Sequence, residues 1–205
     1  MAARAVHAYP LTKATMGLRS VVTTEGCKLE VSQRLKRMTT ILDKLMREPT
    51  MQLANMQDIG GCRAVLASIP KLRRVEQRLK KNRTPIRYND YITTPRASGY
   101  RAVHVVVAYD DSAGQQRAIE VQLRTKAMHE WAIVVERLSG RLRNDLKSGR
   151  GPAPVLEWLG AVSEAMAIEE AGLEVSDLQN RRVSELRSAA RPYLAGDNGG
   201  PSGER

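Results

Sequence analysis

Two carboxylates far apart in the chain, Asp58 and Glu120, stand where an acid could do chemistry. Asp58 opens the segment Asp58-Ile59-Gly60-Gly61-Cys62-Arg63, just ahead of an apolar run, and its two glycines let backbone approach backbone or ligand closely. Glu120 lies within Arg117 to Arg124, where a period of two puts Ile119, Val121 and Leu123 on one face and Glu120, Gln122 and Arg124 on the other. Magnesium is commonly held by one or two carboxylates completed by substrate phosphates and water, so Asp58 and Glu120 together could ligate Mg²⁺. Taken singly, Asp58 reads equally as a turn residue and the Glu120 stripe as a solvated outer face.

Cations and aromatic or imidazole groups recur around this pair. Along Tyr100 to Ala108, Val103, Val105 and Val107 share one face while Tyr100 and His104 share the other, beside the Glu120 stripe if the two segments pair. Alone, His104 reads as a satisfied histidine and Tyr100 as cross-strand packing. Upstream, a helix over Leu29 to Arg47 would place Lys36, Thr40 and Lys44 at i, i+4 and i+8 on one face, with Arg34 and Arg37 close by. Stacked cations repel, which water tolerates, but an oligophosphate laid along them would turn repulsion into charge-assisted hydrogen bonds. There is no P-loop and no G-x-G-x-x-G, so phosphates would be gripped by side chains rather than by a glycine cradle.

The elements that must position these groups follow from periodicity. Met1 to Gly26 has no sustained period, although His7 to Arg19 could hold a short helix; Leu35, Met38, Leu42 and Leu45 mark the Leu29–Arg47 helix, closed by Pro49. Cys62 to Ile69 reads as a buried strand, Lys71 to Asn82 as a basic helix, and Ile86 to Ile92, Tyr100 to Tyr109 and Arg117 to Arg124 as strands, the last two an antiparallel hairpin. Lys126 to Lys147 is helical, Gly149-Arg150-Gly151-Pro152 breaks it, and Val155 to about Ala190 holds one or two helices. The order predicts an α+β fold, a mixed β-sheet flanked by helices. It divides into an extension (1–28), a core domain (29–150), C-terminal helices (151–195) suited to packing or an oligomer contact, and a disordered tail (196–205).

Composition bounds the rest. The 205 residues carry 33 Lys and Arg against 22 Asp and Glu, a formal net charge of +11, with 42% hydrophobic residues and no Phe. That supports one domain with an appendage, its core built from aliphatic residues and Met. No run approaches the roughly 20 apolar residues of a membrane helix, so a cytoplasmic protein is expected. Two cysteines and three histidines make neither a disulfide framework nor a zinc site. The basic surplus suits polyanions such as nucleotides or RNA, although many basic proteins carry only solvated charge.

In six segments taken in order, the chain resembles the synthetase domain of the RelA/SpoT family. They are Arg34-Leu35-Lys36, Thr40-Ile41-Leu42-Asp43-Lys44-Leu45, Asp58 to Arg63, Asp90-Tyr91-Ile92, Ser98-Gly99-Tyr100-Arg101-Ala102-Val103-His104, and Glu120-Val121-Gln122-Leu123-Arg124-Thr125 continuing through Met128-His129. The resemblance covers roughly Arg34 to Glu136 and leaves no room for the hydrolase and regulatory domains of long members, so it implies the small, single-domain type with a nucleotidyltransferase-like fold. It further implies an ATP-dependent pyrophosphokinase, in which a 3′-hydroxyl attacks the β-phosphorus of ATP and AMP leaves. Asp58 and Glu120 would be the Mg²⁺ ligands, with Glu120 also activating the acceptor hydroxyl. Arg34 and Arg63 would flank adenine, Lys36 and Lys44 would hold the phosphates, Tyr100 would stack on the acceptor base, and His104, Gln122 and Arg124 would line the acceptor side.

The acceptor divides two readings. Met56-Gln57-Asp58-Ile59-Gly60-Gly61-Cys62-Arg63 departs from the more usual Asp-Ile-Ala-Gly-Ile-Arg form and looks like the branch of toxic small synthetases, which modify the 3′-CCA end of tRNA and inhibit translation. That branch implies a growth-arresting toxin, phage-borne or used in phage defence, and a neutralising antitoxin. Cations along the basic helix, Arg73, Arg74, Lys80 and Lys81 among them, exceed what one nucleotide needs and favour tRNA as the expected acceptor. The alternative is an alarmone synthetase of the stringent response, making ppGpp or pppGpp from GDP or GTP. A non-catalytic RNA-binding module leaves Asp58 and Glu120 unexplained.

Overall fold

Five strands form one mixed sheet in the order β1-β2-β5-β4-β3, and helices flank it in the computed structural model, which describes residues 5–28, 30–53 and 56–195. The tail 196–205 lies outside the described residues. The chain divides into two compact units, Met1–Asp90 with Ala102–Lys126, and Tyr91–Arg101 with Ala127–Arg205.

The first unit runs α1 (Ala8–Thr24), β1 (Val31–Leu35), α2 (Met38–Arg47), β2 (Gly60–Leu66), α3 (Ile69–Asn82), β3 (Arg87–Asp90), β4 (Val103–Asp110) and β5 (Gln116–Thr125). Strand β2 pairs with β5 in parallel, while β1/β2, β5/β4 and β4/β3 are antiparallel, so the expected β4–β5 hairpin is present. One sheet face is apolar: Cys62, Ala64, Val103, Val105, Val107, Ile119, Val121 and Leu123 are all buried. Helices α1 and α3 pack on the sheet and on each other, contributing Leu11, Leu18, Val22, Leu72 and Val75. Each such side chain contributes about 1.5–3 kcal/mol by leaving water. Pro70 in the first turn of α3 suits a position whose N–H has no helical partner.

Residues 30–47 are not one helix. They make the edge strand β1 and then the shorter α2, because Val31, Gln33 and Leu35 alternate against β2. The alternation is hidden in the sequence by the polar Gln33, whose Oε1 accepts a 2.6 Å hydrogen bond from the buried Thr15 hydroxyl of α1. The N-terminal helix is also longer than His7–Arg19. It reaches Thr24 and covers the sheet through Leu11, Ala14, Leu18, Val21 and Val22.

Strand β4 begins at Val103, not at Tyr100, and β3 is trimmed to Arg87–Asp90. The second unit holds α4 (Lys126–Leu142), a 3₁₀ turn at Leu146–Ser148, α5 (Ala153–Glu170) and α6 (Asp177–Leu194). Helix α4 stops short of Lys147 where Arg143 adopts a left-handed φ of 51°. Helices α5 and α6 pair as a hairpin, and a capping box between Ser176 and Gln179 starts α6. Among the described residues no helix is long and apolar enough to cross a membrane.

Candidate active site

The sheet face opposite α1 is polar, and strand register sets its order. Arg34, Gly61, Glu120, Val106 and Arg87 form one row across the five strands; Ser32, Arg63, Gln122, His104 and Asn89 form the next. Side chains two apart on a strand share a face, so both rows project to the same side. Of the residues singled out in the sequence, Arg34, Arg63, His104, Glu120 and Gln122 meet here, and Arg124 continues the β5 stripe. Arg87 and Asn89 join them from β3. Sequence reasoning missed this role, although their two-residue spacing was the available signal.

Glu120 is held at both oxygens. His104 Nδ1 lies 2.8 Å from Oε1, and Gln122 Nε2 donates to Oε2 at 2.6 Å. Arg124 Nη2 in turn donates to Gln122 Oε1 at 3.0 Å, so a guanidinium, an amide, a carboxylate and an imidazole form a continuous chain. Such a chain fixes the orientation of the carboxylate in advance, which a group receiving a proton from a bound hydroxyl needs. Arg63 Nη2 donates to Ser32 Oγ at 3.4 Å in the same row.

Asp58 lies in the loop before β2. Lys36 Nζ is 2.5 Å from its Oδ2 and Lys44 Nζ 3.4 Å from its Oδ1. The route of convergence differs from the one the sequence suggested. Lys36 is not on the helix with Lys44; it sits in the link between β1 and α2, where its N–H donates to Ile59 O at 2.8 Å. Helix α2 is anchored by Ile41, packed with Met56, Ile59, Leu45 and Met51, which holds Lys44 at Asp58.

Asp58 precedes Gly61 by three residues, at most about 11 Å of chain, and Glu120 sits one strand spacing of about 4.8 Å from Gly61. Two hard carboxylates suit Mg²⁺, which takes its remaining ligands from phosphate and water. Among the described residues no cluster of three or more His, Cys, Asp or Glu side chains forms an all-protein metal cage. Burial, reinforced by the Glu120 charge, pushes the thiol pKa of Cys62 up to about 12.

Tyr100 belongs to the second unit. Its ring is fully buried, 5.8 Å from Tyr91 and 6.2 Å from Trp131 between centroids, with Lys147 Nζ 4.5 Å over it. The cations of α3 are mostly engaged within the fold. Arg73 pairs with Glu76 and Asp90, each at 2.8 Å, Lys80 with Glu76 at 3.4 Å, and Arg74 with Glu25 at 3.4 Å, whereas Lys81 is exposed.

Known proteins resemble this chain in sequence and fold. The sequence model of the family described as "Region found in RelA / SpoT proteins" matches residues 33–138. The chain is 33% identical, over 78% of its length and 75% of the relative's, to a protein of Bacillus subtilis (strain 168) named GTP pyrophosphokinase YjbM. The small alarmone synthetase 1 of Bacillus subtilis, solved bound to its product pppGpp, superposes with a TM-score of 0.64 at 27% identity, covering 88% of this chain and 89% of that one. The small alarmone synthetase 2 of the same organism shares the fold with a TM-score of 0.71 at 22% identity over 82% and 92%.

Proposed function

The chain is a pyrophosphokinase of the RelA/SpoT family, and we propose that it transfers the β,γ-pyrophosphate of ATP to the 3′-hydroxyl of a guanosine nucleotide. The acceptor oxygen forms a bond to the β-phosphorus, the bond between that phosphorus and the α-phosphate oxygen breaks, AMP leaves, and Glu120 receives the hydroxyl proton. The observation that carries this reading is Glu120 itself, with its two oxygens fixed by His104 at 2.8 Å and Gln122 at 2.6 Å on a sheet face that also carries Arg34, Arg63, Arg87 and Arg124. The choice of acceptor is supported by the 33% identity to a GTP pyrophosphokinase and by the internal pairing of Arg73, Arg74 and Lys80, which leaves less charge for a long phosphate track.

The parts divide as phosphoryl-type transfer requires, by placement and by neutralising developing charge. Lys36 and Lys44 grip the ATP phosphates, Arg34 and Arg63 flank adenine, Tyr100 stacks on the acceptor base, and Gln122, Arg124 and His104 line the acceptor side. Asp58 and Glu120 would hold Mg²⁺, which when bound neutralises phosphate charge at the reacting centre.

Incubation with ATP, Mg²⁺ and GDP, followed by chromatography of AMP, tests the reading. Asp58→Asn and Glu120→Gln are expected to lower AMP release at least about 100-fold while the protein stays folded. Near-normal release by either variant overturns the assignment. A second reading, transfer to the 3′-CCA end of tRNA by a toxin with a neutralising partner, is favoured by the net charge of +11 and by the Met56-to-Arg63 segment. ATP labelled at the γ-phosphate separates the two: label in tRNA alone replaces the guanosine reading, and label in guanine nucleotides alone removes the tRNA reading.

A further inference from the structure

Glu120, Gln122 and Arg124 stand at every second position of β5, so their side chains leave one face of a single strand at steps of about 6.8 Å. Their hydrogen bonds run along that strand. Arg124 Nη2 donates to Gln122 Oε1 at 3.0 Å, and Gln122 Nε2 donates to Glu120 Oε2 at 2.6 Å. Arg124 is only 3% exposed, too little to present its guanidinium to an acceptor, whereas Gln122 and Glu120 are half-buried. The buried cation meets the amide, and the amide meets the carboxylate expected at the reacting oxygen.

The direction of the middle group is dictated from behind. A primary amide carries an oxygen on one arm and an NH₂ on the other, two arms of nearly the same shape. Arginine has donors only, so the arm facing Arg124 must be the oxygen, and the NH₂ is thereby delivered to Glu120. An ionised carboxylate has acceptors only and suits that arm. Once Arg124 no longer demands an oxygen, the amide can turn and set Oε1 against Glu120 Oε2, acceptor against acceptor. The short contact then becomes repulsive, and the carboxylate moves away from it about its own side-chain bonds.

We propose that Arg124 is a positioning residue: it sets the amide of Gln122, through that amide the carboxylate of Glu120, and serves the acceptor side without touching the acceptor. This rests on the reading that Glu120 receives the acceptor proton. Glu120 keeps its contact with His104 at 2.8 Å when the amide is lost, so the expected effect is a partial loss of rate rather than its abolition.

A double-mutant cycle in kcat on Arg124→Gln and Gln122→Met, run with whichever of GDP and tRNA is the productive acceptor, tests the proposal, each rate being referred to the folded fraction. Arg124→Gln can offer either a donor or an acceptor, and is expected to lower kcat about tenfold with the KM values for acceptor and ATP within about twofold. Arg124→Lys, a donor only, should stay within about threefold of the wild-type kcat. In the Gln122→Met background, Arg124→Gln should cost less than about twofold more. A raised acceptor KM at unchanged kcat would put Arg124 on the acceptor itself and overturn the proposal; so would additive losses in the double variant, or an Arg124→Lys enzyme as slow as Arg124→Gln. Glu120→Gln keeps the two readings distinct. If it turns over normally, the proton-acceptor reading fails; if it is inactive while Arg124→Gln has no effect, Glu120 keeps its role and Arg124 loses the one proposed.

Discussion

Glu120 lies directly across the parallel β2/β5 ladder from Gly61, and an added Cβ on Gly61 would sit 3.4 Å from the Glu120 carbonyl oxygen. The same glycine faces Arg34 across the antiparallel β1/β2 ladder. A residue without a side chain thus separates the guanidinium expected at adenine from the carboxylate expected at the acceptor hydroxyl, leaving a bare floor on which the triphosphate can lie. The strand itself does not demand glycine there, since 3.4 Å is an ordinary contact and a β-branched residue favours extended backbone.

Gly61→Val should therefore separate stability from activity. Its Tm is expected to stay at or above that of the wild type, while AMP release falls about 100-fold because a displacement near 1 Å at the reacting atoms is enough to cost that much. Thermal melting beside an AMP assay checks it. Lost stability with normal turnover in the folded fraction would count against an open floor between Arg34 and Glu120.

Lys36 and Lys44 both contact the carboxylate that is expected to bind the cation, at 2.5 and 3.4 Å. Removing an ammonium should raise the affinity of the nucleotide-free protein for Mg²⁺ while lowering turnover, because the same group is proposed to grip the phosphates. Lys36→Met is expected to bind Mg²⁺ several-fold tighter by calorimetry and to lose about 100-fold in AMP release, with Lys44→Met showing the same pair of effects more weakly. Both effects changing in the same direction would place these lysines elsewhere in the mechanism.

How much of this was legible depended on whether chemistry or geometry set the residue. The Glu120 stripe and the His104 face could be read because period two survives wherever the alternate positions are plainly apolar, as with Val103, Val105 and Val107. Strand β1 was not legible, because its polar Gln33 is matched by Thr15, a partner 18 positions away. Consequently the helical spacing puts Lys36 on one face with Lys44, whereas Lys36 lies in the link before that helix and the two ammonium groups meet at Asp58. The α3 cations were legible as charge, and Glu76 as a helical neighbour of Arg73 and Lys80, but Glu25 and Asp90 reach Arg74 and Arg73 only through the fold.

Asp111 joins β4 to β5 and so supports the position of Glu120. Its Oδ1 accepts from the N–H groups of Ala113 and Gln115, both at 2.9 Å, and Arg117 Nε donates to Oδ2 at 2.8 Å. The Arg117 hydrogen bond foremost, with these backbone donors, holds its pKa below the ordinary carboxylate value. A depressed carboxylate stabilises the fold above its unfolded pKa near 4, and that stabilisation is lost as pH falls through the lower folded value. Asp111→Asn should lower Tm at pH 7, with the gap from wild type closing as pH drops below about 4. A gap independent of pH would mean that the Asp111 charge is not what secures the turn.

Arg73 and Lys81 lie on the same basic helix but should respond differently to loss of charge. Arg73 bridges the buried Glu76 of α3 and Asp90 at the end of β3, each at 2.8 Å, and the Tyr88 hydroxyl donates to Glu76 at 2.7 Å. Arg73→Gln leaves Glu76 with fewer donors and is expected to destabilise by about 1–3 kcal/mol, read as a lower urea midpoint, with little change in the salt needed to elute the protein from heparin. Lys81→Gln should lower that salt concentration and leave the urea midpoint alone. If instead Arg73→Gln weakens heparin retention as much as Lys81→Gln without loss of stability, the α3 face is an available polyanion surface, and the balance moves back toward tRNA as the acceptor.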